Sequence, residues 1–76
     1  MMNGFEARGW TLDMMEVVND IPKDVFTLDD VYQYESELSR KYPQNQTVRA
    51  SMRRQLQVLR DQGFLEFIDR GVYRKL

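Results

Sequence analysis

Arg49, Ala50, Arg53, Arg54, Gln57 and Arg60 recur at helical spacing inside the stretch Asn45 to Gly63, on the opposite side of a helical wheel from Val48, Met52, Leu56 and Leu59. Guanidinium forks reach phosphates and guanine edges, a glutamine can pair with adenine, and a small side chain lets the backbone approach apolar base groups. Arginines, one alanine and one glutamine on a single exposed face therefore suit a helix lying in the major groove of DNA. A solvated charged face would carry the same residues, and this stretch alone leaves both readings open. Its borders are well marked. Asn45 or Thr47 can cap the first free amides and Gly63 offers the left-handed residue that ends a helix, so the spacing predicts a helix over 45–62.

Composition excludes several other chemistries. With no cysteine and no histidine, the chain can form neither disulfides nor thiolate or imidazole metal sites, and it cannot run Cys/His or Ser/His catalysis. The acids at Asp29-Asp30 and at Glu35 and Glu37 fit no cation-binding loop and read as a solvated helix face. Asn45-Gln46-Thr47 matches the glycosylation acceptor pattern, but nothing marks the chain as secreted. No catalytic residue, metal or cofactor is expected.

The elements that must position the basic face come from one small domain, since 76 residues lie near the lower size limit for folding without staples. The net charge of −1 conceals a split. Residues 1–39 hold two basic and nine acidic side chains, and residues 40–76 hold nine basic and three acidic ones. The second half is thus a candidate electrostatic footprint for a polyanion. No apolar run approaches the length of a membrane span, and the amino terminus lacks a basic-then-apolar signal pattern, so a soluble cytoplasmic protein is expected.

In chain order, residues 1–7 have no period and read as a flexible amino-terminal arm before a domain over 8–76. Trp10, Met14, Val17, Val18 and Ile21 form a helical apolar stripe over Trp10 to Asn19, with Asp13 and Glu16 near its start, where the helix dipole favours anions, and Pro22 closing it. Val25 and Phe26 make a short extended piece. Thr27-Leu28-Asp29-Asp30 resembles a capping box opening a second helix from Leu28 to about Arg40, which buries Leu28, Val31 and Leu38 and turns Asp29, Glu35 and Glu37 to water. Tyr42-Pro43-Gln44-Asn45 is turn material before the basic helix. After Gly63 the period switches to two, and Asp69-Arg70-Gly71 marks a hairpin between strands near 64–68 and 72–76. The order predicts an α+β, mainly α, winged helix-turn-helix, with three helices and a small β-hairpin wing.

Several motifs at one spacing then carry a resemblance: Arg8-Gly9-Trp10-Thr11, Phe26-Thr27-Leu28 with Tyr32, Glu35-Ser36 with Leu38, Arg53 with Gln55-Leu56-Gln57, Leu59-Arg60-Asp61, Glu66-Phe67, Arg70-Gly71, and Tyr73-Arg74-Lys75-Leu76. Over roughly Arg8 to Leu76 the chain resembles the carboxy-terminal winged-helix domain of the DpnI-type, N6-methyladenine-dependent restriction endonucleases. The resemblance implies a winged helix that reads methylated GATC through its third helix, within an enzyme whose separate nuclease domain also senses the methyl. Such a nuclease needs an Asp and a Glu/Gln-x-Lys set on a mixed sheet, for which this chain has neither the length nor the sheet. The expectation is a reader domain and not itself an enzyme, working as a monomer on double-stranded DNA in a prokaryotic nucleoid, with a nuclease domain in the same or another chain. The chain departs from the family pattern at Thr47, Ala50 and Arg54, on or beside the reading surface.

N6-methyladenine displays its methyl in the major groove, so a reader must offer an apolar wall there. The methyl-contact candidates are Ala50, the Thr47 methyl and Trp10, although a lone Trp opening a helix is more often a core residue. Arg49, Arg53 and Arg54 are the first candidates for DNA contact, with Arg53 at a guanine edge and the other two toward phosphates. Gln57 lies farther from the helix start. Asn45, Gln46 and Thr47 lead into the helix, and Arg8 could hold a phosphate from a flexible lead-in. Arg70, Arg74 and Lys75 would place the wing on phosphates or in the minor groove, unless they serve solubility and protect a strand edge. Tyr32, Tyr34 and Tyr73 read as packing. The competing reading is a protein-interaction winged helix, or a nonspecific DNA anchor for a larger nuclease.

Overall fold

The structure, a computed structural model, describes the backbone from Gly4 to Leu76 and the side chains from Gly9 onward. Helix α1 spans Gly4–Asp20, beginning earlier than the stripe of apolar residues indicates. The arm expected over residues 1–7 is therefore helical from Gly4 on, while Met1 to Asn3 lie outside the described residues. One consequence corrects the sequence reading of Asp13. It lies in the middle of a helix, is 8% exposed, and binds side chains of another element instead of serving a helix dipole. Proline at position 22, with no amide hydrogen to donate, stops α1 from extending.

Strand β1 (Val25–Thr27) leads directly into helix α2 (Leu28–Tyr32). The capping box is complete: the Asp30 amide donates to Thr27 Oγ1 at 3.2 Å, and the Thr27 amide donates to Asp30 Oδ2 at 2.9 Å. The single helix expected over 28–40 is broken into α2 and α3 (Glu35–Lys41). At the break, the Gln33 and Tyr34 amides bond the carbonyls three residues back, Asp30 at 3.4 Å and Val31 at 3.0 Å. This tighter 3₁₀ pattern ends the α ladder, and no glycine or proline announces it in the sequence.

Helix α4 spans Val48–Asp61. Thr47 is its N-cap residue but makes no side-chain capping bond. Entry is organised by Asn45, whose Oδ1 accepts from the Thr47 amide at 2.7 Å and whose Nδ2 donates to Ser51 Oγ at 3.0 Å. At the other end the Phe64 amide reaches the Leu59 carbonyl at 2.9 Å and the Gly63 amide reaches the Arg60 carbonyl at 3.0 Å. This double-bonded stop requires a left-handed residue, which Gly63 supplies at φ 87°.

Strands β2 (Leu65–Asp69) and β3 (Val72–Lys75) form the wing hairpin, and β1 adds to β3, giving a three-stranded antiparallel sheet in the order β1-β3-β2. Phe26 and Phe67 both pair with Tyr73, and a bulge separates Phe67 from Asp69. The Leu28 amide donates to the Gly71 carbonyl at 3.0 Å, which ties the hairpin tip to the start of α2. Met14, Val31, Met52, Leu56 and Leu59 close the core between α1, α2, α4 and the sheet, each at most 1% exposed. The result is an α+β winged helix-turn-helix, with α3, the turn at 42–47 and α4 as its helix-turn-helix.

Candidate nucleic-acid interface

Helix α4 turns Val48, Met52, Leu56 and Leu59 inward, and its rotation about its own axis is fixed by a polar contact as well. Gln55, 7% exposed, accepts a 2.6 Å hydrogen bond from Thr11 Oγ1 on α1. With that side held, Arg49, Ala50, Arg53, Arg54 and Gln57 are all exposed. They fall into two lines. Ala50, Arg54 and Gln57, at steps of four and three, form the outermost line. Arg49, Arg53 and Arg60 form a flanking line that faces the aromatic side chains of α2 and the wing.

Each flanking arginine meets that wall differently. The Arg49 guanidinium lies over the Tyr32 ring, 4.4 Å from its centroid, and its Nε donates to Glu35 Oε1 at 2.8 Å. Arg60 lies over Phe67 at 4.9 Å and also bonds Asp61, which makes it a brace between α4 and the wing more than a free cation. Arg53, between them on the same line, is exposed. Arg53 and Arg54 have no ion-pair partner among the described residues.

A helix-turn-helix whose second helix, α4, presents this face, with a wing beside it, agrees with what the chain matches. Residues 6–75 correspond to the Dam-replacing HTH domain, the DpnI-type carboxy-terminal domain. The chain belongs to that family. Membership in a helix-turn-helix family points to DNA as the partner.

The Dam-replacing HTH domain distributes the remaining candidate residues unevenly. Gln46 and Thr47 are exposed at the start of α4, with the Thr47 hydroxyl 3.3 Å from Asn45 Oδ1, while Asn45 itself is half-buried and committed to shaping the turn. Arg70 is exposed at the hairpin tip, where its backbone amide donates to Asp69 Oδ1 at 2.7 Å. Arg74 pairs across the wing with Glu66, its Nε at 3.0 Å. Lys75 is directed away from α4: its Nζ donates to the Ile21 carbonyl at the end of α1. Trp10 is 6% exposed and stacks on Tyr42 at 4.4 Å, which makes it part of the core of the Dam-replacing HTH domain, with its remaining exposed edge beside the turn at Tyr42 to Asn45. The side chain of Arg8 lies outside the described residues.

Two groups that shape the interface escaped the sequence reading. Glu35 does not simply face water but holds Arg49, fourteen residues on. The Glu35 carboxylate raises the Arg49 pKa above its ordinary value, chiefly through that hydrogen bond. Asp13, on α1, accepts from Lys41 Nζ at 2.7 Å and from the Tyr42 hydroxyl, so one buried carboxylate anchors the end of α3 and the turn before α4. Neither partner is near in sequence, and only the opposite charges could have hinted at either pair.

Proposed function

We propose that this domain binds double-stranded DNA in a sequence- and methylation-dependent way, reading N6-methyladenine in a GATC-type site with α4 in the major groove and the wing on the backbone or in the minor groove. The observation that carries the DNA-reading part is the outward face of α4, where Arg53 and Arg54 stand unpaired among the described residues beside Ala50 and Gln57. Ala50 is the apolar residue among the exposed positions of α4, so the face suits a polyanion better than an apolar protein partner. The target itself rests on the DpnI-type resemblance. In this reading the domain is a monomeric reader for a methyl-directed restriction endonuclease, whose nuclease domain lies in the same or another chain, or it is a stand-alone homologue.

Ala50 and the Thr47 methyl are the groups that would meet the adenine methyl. Burying one methyl is worth about 0.8 kcal/mol, so the two methyls of a palindromic site give roughly tenfold preference from burial alone. An adenine amino proton left unpaired in the unmethylated complex adds about 1–3 kcal/mol. With burial alone or with that penalty at its lower end, about 1 kcal/mol, the expected selectivity is about one to two orders of magnitude. Titration of the 76-residue chain against duplexes with none, one or both GATC adenines methylated, at one salt concentration, tests this. Affinity should rise with each methyl, and equal affinities would reduce the domain to a nonspecific anchor.

A further inference from the structure

Arg49 is the one arginine of the α4 face whose guanidinium is held by groups from two other helices, Tyr32 of α2 and Glu35 of α3. Its Nε donates to Glu35 Oε1 at 2.8 Å and its plane lies over Tyr32 at 4.4 Å from the ring centroid. Neither support uses the Nη edge, and no other hydrogen bond to this guanidinium occurs among the described residues. A guanidinium gripped by Nε and one face keeps its two Nη groups together as a fork of fixed direction. That fork matches the paired acceptors of guanine in the major groove, whereas a phosphate can be met by a mobile cation as readily. Glu35 would be a costly neighbour for a backbone contact. It lies beside a polyanion, and it cancels the charge that Arg49 would contribute to phosphate binding.

We propose that Glu35 is a positioning residue for sequence selectivity: it sets the direction of Arg49, with Tyr32 as the second support, and converts that arginine from a phosphate contact into a base-reading one. The inference rests on the DNA-reading role of α4 and assigns within it a residue that touches no DNA. It carries an unusual expectation, because removing Glu35 should raise affinity for arbitrary DNA while lowering selectivity. With the carboxylate gone, Arg49 is free to neutralise one more phosphate.

The experiment compares the wild-type chain with Glu35→Ala, Glu35→Gln, Arg49→Ala and the Glu35→Ala/Arg49→Ala double variant. Each is titrated from low to moderate salt against a methylated GATC duplex and a scrambled one. For Glu35→Ala, the slope of log affinity against log salt should steepen by about one, the signature of one added phosphate contact. Discrimination between the two duplexes should fall about tenfold, the loss expected for one bidentate base contact. Glu35→Gln keeps an oxygen acceptor for Nε and should retain more discrimination than Glu35→Ala. In the Arg49→Ala background, Glu35→Ala should change neither slope nor discrimination. An unchanged salt slope in Glu35→Ala, or the same effect with and without Arg49, overturns the proposal. If the wild-type chain prefers a GATC duplex over the scrambled one whether or not its adenines are methylated, the methyl-reading proposal fails alone and the Glu35 comparison still decides; equal binding to GATC and scrambled duplexes overturns both. A wild-type chain that binds no duplex overturns both.

Discussion

Thr11 and Gln55 meet at 2.6 Å across the packing of α1 on α4, in a hydrogen bond that Thr11 Oγ1 donates to Oε1 of the buried Gln55. Its direction from Thr11 Oγ1 to Gln55 Oε1 fixes which side of α4 faces inward, a choice that Leu and Met packing alone specifies less sharply. Gln55→Ala should destabilise the fold by about 1–3 kcal/mol through loss of this buried bond and of side-chain volume. Chemical denaturation checks this, and DNA affinity measured well below the unfolding midpoint should fall as well, because the outward face is no longer held in one orientation.

A second prediction concerns the anchor of the helix-turn-helix. Asp13→Asn leaves the Lys41 ammonium and the Tyr42 hydroxyl facing a weaker acceptor in a buried position, and should cost about 1–3 kcal/mol in a denaturant titration. Lys41→Ala should cost much less, since that side chain is largely solvated and its pairing is screened. Equal effects from the two substitutions would mean that the charge pair, and not the buried carboxylate, anchors the turn.

The pH dependence of stability follows from three shifted groups. The Lys23 ammonium, 2.9 Å away, and then the Thr27 amide hold the Asp30 carboxyl below its ordinary value of 3.8. A folded value below the unfolded one stabilises the fold above the ordinary value, and that contribution is lost as pH falls through the folded value. Burial holds the Tyr73 phenol above its ordinary value of 10.0, and the hydrogen bond to Asp13 holds the Lys41 ammonium above its own. Both contributions are complete below the ordinary values and are lost as pH rises through the folded ones. Melting temperature should therefore decline at both extremes. Asp30→Asn should flatten the acid limb only, and Tyr73→Phe should flatten the alkaline limb only.

On the DNA side, Arg53→Ala and Arg54→Ala should separate two kinds of contact. A base-reading arginine costs about 1–3 kcal/mol on the preferred site, whereas a phosphate-binding one weakens all duplexes alike and reduces the salt slope by about one. Lys75→Ala should do neither, because its ammonium is engaged at the Ile21 carbonyl. Fluorescence titration of the three variants over a range of salt distinguishes these outcomes.

The parts of the fold legible in the sequence are those specified by local rules. The Thr27–Asp30 capping box, the stop at Gly63, the positive φ of Gly71 and the 3.6-residue period of α4 all depend on residues within a few positions of one another. The break between α2 and α3 was not legible, because a tightened turn at Gln33 and Tyr34 can form from ordinary residues. The outward set of α4 followed from periodicity. The loss of Trp10 to the core, the pairing of Arg49 with Glu35 and the diversion of Lys75 depend on contacts between residues 14 to 54 positions apart, which periodicity does not encode.

Whether α4 and the wing tip face DNA can be followed in the backbone amide resonances of the isotope-labelled chain during titration with a GATC duplex methylated on both strands. Shifts should concentrate at Gln46, Thr47, Arg49, Ala50, Arg53, Arg54, Gln57 and Arg70. Leu12, Met15, Phe64 and Leu76, exposed along the groove between α1 and the chain end, should stay unmoved. Shifts centred on that groove, with α4 silent, would contradict the account.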